Sequence, residues 1–252
     1  MNQPEIRILA DADDLSRVAA EECVRLADEA VRRRGRFSVA LSGGSTPKPL
    51  YRLLAAEDGG FRARVPWGRA HFFWGDERHV PLDHRDSNYR MAYEVMLSRV
   101  PVPPGNVHRI PAENPDAAEA AAEYARTLRR FFDAAAGRFP RFDLVLLGMG
   151  SDGHTASLFP GTDAVHDRAG LVAAPWVEKL GAHRITLTVP VLNEAACVIF
   201  LVSGEGKAEA LRAVLEGPHQ PDRFPAQLVR PREGGLLFLA DRAAARLLGP
   251  PC

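Results

Sequence analysis

Two kinds of hydrophobic pattern alternate along this chain. Short, nearly unbroken apolar runs fall at Ile6 to Ala10, 37–41 (FSVAL), 70–75 (AHFFWG), 142–147 (FDLVLL), 197–203 (CVIFLVS) and 236–240 (LLFLA), with further strands expected near 171–174 and at 184–189. A run without polar alternation is a strand buried on both faces, the habit of parallel sheets. Between the runs, apolar positions recur at helical spacing. Residues 13–34 place Leu15, Val18, Ala19, Cys23, Leu26 and Ala30 on one stripe and end in RRRG, a basic last turn followed by a stop glycine. Pro47 to Ala56 opens with proline at its tolerated first helical position, and 87–98, 115–136 and 206–216 complete the helical set.

Strands alternating with helices predict an α/β fold: a Rossmann-like, doubly wound, mostly parallel sheet with helices on both faces. The 252 residues are enough to bury a large core. With no repeat, low-complexity block or linker, the chain reads as one domain, 1–252. The proline-rich stretches 100–105 and 218–225 read as surface loops.

Charge changes the picture by exclusion. With 32 basic and 32 acidic residues the formal net charge is zero, which leaves no basic footprint for nucleic acid and no polybasic patch for a membrane. No apolar run approaches the roughly 18 residues of a membrane helix. A small-molecule ligand is the remaining expectation. Cys23, Cys197 and Cys252 lie far apart, without metal-ligand or redox-pair spacing, and the first two read as core residues. The odd count and an N-terminus lacking both basic leader and apolar signal core point to the cytoplasm. The expected assembly is a monomer or small homo-oligomer.

Candidate chemistry sits in four turns at strand ends, the rim where open α/β sheets take their ligands. Ser42-Gly43-Gly44-Ser45-Thr46 joins a strand to a helix. Glycines admit a ligand close to the backbone, and the helix start offers free N–H groups to an anion, phosphate above all. A plain turn capped by Ser45 or Thr46 is the simpler alternative. The GKS/GKT ending of a P-loop is absent, which disfavours a nucleoside triphosphate. Asp76-Glu77-Arg78 follows the AHFFWG strand as either a solvated edge or a site. In a site, Arg78 would meet a substrate oxygen or developing oxyanion, oriented by Asp76.

The third turn, Gly148 to His154, formally matches GxGxxG, yet no acidic strand end follows about 20 residues later to hold a ribose. The pattern predicts a new helix opening at its far side. An isolated histidine is usually structural, but Asp152 two positions before His154 would orient the ring as a general base. Lys207, opening a helix after the 197–203 strand, and Arg184 each suit a surface charge. With the SGGST turn they suit a phosphate clamp.

These segments together resemble the 6-phosphogluconolactonases. The likeness rests on SGGSTP, DERxVPxxxxxSN and GxGxDGHTASLFP, followed by HRITLTVPVLN and LLFLAD, and runs from about residue 5 to 247. It implies a NagB/RpiA-like fold and hydrolysis of 6-phospho-D-glucono-1,5-lactone in the pentose phosphate pathway, with no metal or organic cofactor. His154 then corresponds to the base that activates water, with Asp152 beside it and Arg78 positioning substrate or water. SGGST, Arg184 and Lys207 correspond to the phosphate-binding elements, Asn88 to a ligand contact or a helix-start residue. Glucosamine-6-phosphate deaminases share the fold and the strand-end Asp-Glu pair but continue with tyrosine where this chain has Arg78, which favours the lactonase. A sugar-phosphate sensor that binds without turnover would not need the Asp152–His154 pair.

Overall fold

The computed structural model describes residues 4–135 and 137–249; Cys252 and the last residue of the expected 115–136 helix lie outside them. Among the described residues there are ten strands: β1 (Glu5–Leu9), β2 (Phe37–Leu41), β3 (Ala70–Trp74), β4 (Asp76–Arg78), β5 (Leu144–Leu147), β6 (Val172–Ala173), β7 (Trp176–Val177), β8 (Ala182–Leu187), β9 (Cys197–Val202) and β10 (Gly235–Asp241). Seven α-helices accompany them: α1 (Ala12–Arg34), α2 (Pro47–Ala55), α3 (Asn88–Val95), α4 (Ala117–Phe132), α5 (Val189–Glu194), α6 (Ala208–Leu215) and α7 (Arg242–Ala245).

The main sheet has the order β1-β10-β9-β5-β2-β3, and every pairing in it is parallel. All residues of β2 and β5 are buried. Because successive side chains point to opposite faces, both faces of the sheet centre are covered. The strand runs were therefore legible for the expected reason. The helix over 13–34 is α1, started by the Asp11 side chain accepting from the N–H groups of Asp13 and Asp14. It stops at Gly35, whose φ of 73° lets its N–H turn back onto the Val31 carbonyl.

Strand order locates the ligand crevice. From β2 the chain moves outward to β3, then returns to lay β5 on the other side of β2. The switch point lies between β2 and β5, and the loops at their carboxyl ends are the SGGST turn and the Gly148–His154 turn.

Three expectations are corrected. Asp76-Glu77-Arg78 is neither a solvated edge nor a simple rim turn but β4, which pairs antiparallel with β8 in a second, small sheet of order β4-β8-β6, with β7 also on β8. No helix opens after Gly148–His154. The chain there is irregular, with Gly153 and Gly161 at positive φ, Ala156 at φ 46° and Pro160 interrupting it, and only a short 3-10 turn follows at Asp163–Val165. The strand expected to reach 189 ends at Leu187, because Val189 starts α5 with Pro190 in its first turn.

Cys23 and Cys197 pack as core residues. Burial pushes their thiols up to about 12 and about 11, so neither supplies thiolate at neutral pH. Among the described residues no helix is long and apolar enough to cross a membrane.

His71 of β3 pairs with His108 from the loop before α4, an arrangement that should make the fold acid-sensitive. His71 Nδ1 lies 3.3 Å from His108 Nε2; Phe131 packs against both rings and Phe73 stacks on His108. Burial, then the nearby His71, lowers His108 to about 4; burial, then Arg36, lowers His71. A histidine lowered in the folded state binds fewer protons than the unfolded chain, so its stabilisation is full above the unfolded value near 6.5 and declines as pH falls toward about 4. Thermal melts should show Tm falling across that window by an amount equivalent to about 1–2 kcal/mol, discounted because the ring is only half-buried. His108→Phe should flatten the slope. An unchanged slope would remove the pair as its source.

Candidate active site

The SGGST turn is shaped by its neighbours. A Cβ on Gly43 would overlap the Asn88 side chain, and Gly44 adopts φ 95°. Both positions therefore require glycine. Pro47 begins α2 with Thr46 in the cap position, yet neither Thr46 nor Ser45 makes a side-chain cap bond. The simple-cap alternative fails, and the hydroxyls are free for a ligand. Tyr51 anchors the turn from behind, its hydroxyl accepting from the Ser42 N–H at 3.0 Å and donating to the Ser42 carbonyl at 2.8 Å.

At the end of β3 the chain crosses into β4 and presents Asp76, Glu77 and Arg78 differently. Glu77 is buried and serves the scaffold: its carboxylate accepts from the backbone N–H groups of Asn88 (2.7 Å), Arg78 (2.8 Å) and Tyr89 (2.8 Å) and from the Ser87 hydroxyl. Burial pushes its carboxyl up against those bonds, and the site at the N-terminus of α3 favours its negative form. Asp76 accepts from Ser157 Oγ at 2.7 Å, while Asn88 Nδ2 donates to the Asp76 carbonyl at 2.9 Å. Asn88 is thus both the first residue of α3, which Ser87 caps, and a wall of the cavity.

Arg78 and Arg184 stand directly opposite each other in the antiparallel β4–β8 pairing. Like charges in that relation destabilise a sheet. Burial, then the Arg78 charge, lowers the Arg184 guanidinium pKa. Neither arginine has a carboxylate ion-pair partner among the described residues, an arrangement suited to an anion.

After β5, the turn closes by hydrogen bonds from Gly150 N–H to the His154 carbonyl and from Thr155 Oγ1 to the Gly148 carbonyl, both 2.8 Å. A Cβ on Gly150 would overlap the His154 ring and Asp152. Asp152 Oδ1 accepts from His154 Nδ1 at 2.5 Å, which puts the ring proton on Nδ1 and leaves Nε2 as the basic nitrogen. Phe159 stacks on the imidazole at 4.0 Å. Burial opposes ionisation of Asp152, but the bonds from His154 and Lys179 outweigh it and hold the carboxyl well below the usual carboxylate range.

One cavity of about 450 Å³ gathers these parts. Ser42, Gly43, Gly44, Ser45, Thr46, Asp76, Arg78, His154, Arg184 and Lys207 all line it. Asp152 does not; it lies behind His154. Lys207 arrives from the 3-10 turn Glu205–Lys207 at the carboxyl end of β9 and forms the cap residue of α6. Sequence reasoning missed Lys179, Ser157, Phe159 and Ser203, which also line the cavity. Ser157 and Phe159 stand inside the GHTASLFP stretch and were within reach; Lys179 carried no local signal.

Comparison with known proteins follows the same lines. Residues 10–238 match the family model described as glucosamine-6-phosphate isomerases/6-phosphogluconolactonase. A 6-phosphogluconolactonase of Nostoc sp. is 43% identical over 239 residues, covering 95% of this chain and 96% of that protein. A 6-phosphogluconolactonase of Rattus norvegicus is 44% identical, covering 86% and 83%. The solved structure of 6-phosphogluconolactonase from Trypanosoma brucei superposes with a TM-score of 0.85 at 31% identity, covering 99% of this chain and all of that one. The all-parallel main sheet, the two strand-end turns facing each other across its switch point and these likenesses agree: the chain belongs to the glucosamine-6-phosphate isomerase/6-phosphogluconolactonase family.

Proposed function

We propose that this protein hydrolyses 6-phospho-D-glucono-1,5-lactone to 6-phospho-D-gluconate, the lactone-opening step of the pentose phosphate pathway. The observation that carries the reading is the sharing of one cavity by a carboxylate-oriented imidazole and three cations, Arg78, Arg184 and Lys207, none of which has a carboxylate side-chain partner among the described residues. A phosphorylated sugar lactone needs both parts, a dianion seat and a base.

In this mechanism the phosphate docks on the SGGST backbone N–H groups and hydroxyls, Arg184 and Lys207. His154 Nε2 takes a proton from water as its oxygen bonds to the lactone carbonyl carbon. Arg78, or the backbone N–H groups near Gly43 and Gly44, stabilises the resulting oxyanion. Collapse of the tetrahedral intermediate breaks the bond to the ring oxygen, which receives the proton from His154. General-base catalysis supplies about 100- to 10,000-fold and an oxyanion donor about 100- to 1,000-fold, enough for a lactone that already opens in water. Asp76, committed to Ser157 and close to Asn88, contributes by holding the cavity wall.

The direct test is hydrolysis of freshly generated phosphogluconolactone, corrected for spontaneous opening. Ammonia release from glucosamine 6-phosphate would instead mark a deaminase, and tight binding without turnover a sensor. The reading carries with it one functional unit spanning 1–252, a cytoplasmic location and a monomer or small homo-oligomer. The balanced charge and the free thiols of Cys23 and Cys197 support it.

A further inference from the structure

Lys179 sits at the tip of the hairpin formed by β7 and β8, in the 3-10 turn Glu178–Leu180 that Gly181 ends with φ 57°. Its ammonium donates to Asp152 Oδ2, on the far side of the carboxylate from His154. The same nitrogen lies 4.7 Å from the centre of the Phe159 ring, the ring that stacks on His154. Lysine, carboxylate, imidazole and phenyl thus close into one ring of contacts. Of the cations lining the cavity, Lys179 stands apart among the described residues, being paired with a carboxylate while Arg78, Arg184 and Lys207 are not.

We propose that Lys179 is a positioning residue for the lactonase reaction: it clamps Asp152 in the orientation that fixes the His154 tautomer, and its charge offsets that of Asp152 beside the imidazole. The inference rests on the function proposed above. A carboxylate held only by its histidine can rotate and give its second oxygen to water, and then Nδ1 loses its fixed acceptor. An unbalanced carboxylate also raises the proton affinity of its partner, removing the base at the lower end of the working pH range. The other charges lining the cavity do not replace Lys179: Arg78, Arg184 and Lys207 make no ion pair with Asp152, whose partners among the described residues are His154 and Lys179, and Asp76 is bonded to Ser157.

Kinetics of Lys179→Met and Lys179→Arg against pH test the proposal. Lys179→Met should lower kcat about 10-fold with KM changed less than threefold, and move the acid limb of kcat/KM to higher pH; Lys179→Arg should restore most of both. In an Asp152→Asn background, Lys179→Met should add little, since the lysine acts through that carboxylate. A titration of the His154 imidazole by NMR reads the same charge balance without turnover, with a higher midpoint expected in Lys179→Met. Unchanged kcat and unchanged midpoint would overturn the proposal while leaving the lactonase reading intact. So would a raised KM at constant kcat, which would make Lys179 a substrate ligand. Absence of lactonase activity in the unmodified protein would overturn the function and this inference together.

Discussion

Replacing His154 by alanine should lower kcat on the phosphorylated lactone by about 100- to 10,000-fold and leave KM within about threefold. The imidazole touches only the transferring proton, so its loss falls on the transition state rather than on ground-state binding. The seat for the phosphate is built from other elements, the β2–α2 turn, β8 and the turn before α6, and none of them leans on the His154 ring. The scaffold should survive, because the turn is closed by backbone bonds such as Gly150 N–H to the His154 carbonyl. Initial rates corrected for spontaneous opening decide the matter. A variant within threefold of the unmodified rate would remove His154 as the base.

The second large effect concerns Arg184. Arg184→Met should raise KM about 10- to 100-fold, the cost of one charge-assisted contact to a phosphate, with a much smaller change in kcat. It should also raise the melting temperature of the unliganded protein by about 1–3 °C, because it removes a like-charge pair from the β4–β8 ladder. The two signs together are the diagnostic. A side chain serving only the fold would lose stability on truncation, and an idle surface arginine would change neither quantity. By the same linkage, inorganic phosphate should raise the Tm of the unmodified protein and do so less in Arg184→Met. A fall in stability with unchanged KM would exclude Arg184 from the anion seat.

How much of this was legible in the chain depended on whether the signal was local. β2, β5 and β9 are covered on both faces, so Ser38 is the one polar residue in their runs and their limits emerge within a residue or two. The SGGST turn announced itself because its glycines answer to close approaches, Asn88 at Gly43 above all. β4 went unread because its three charged residues face a cavity and a helix N-terminus, so hydropathy could not distinguish it from a wet loop. The helix expected beyond His154 failed because the two strand-end turns share a glycine pattern, while only SGGST is followed by a helix start. Lys179 was invisible for a different reason. Its partner lies 27 residues earlier, and only the folding back of the β7–β8 hairpin brings the two together.

The pairing of β1 carries a consequence for biosynthesis. β1 precedes the other described strands, yet its neighbour in the sheet is β10, the last of them, which wedges between β1 and β9. While the ribosome is still translating, the apolar flank of β9 therefore stays open and β1 has no ladder to join. Closure of the sheet waits for release of the C-terminal segment, and its slow step is a contact of high sequence separation. A nascent chain stalled before residue 235 would present a bare parallel edge, the kind of surface that chaperones hold and that aggregates recruit.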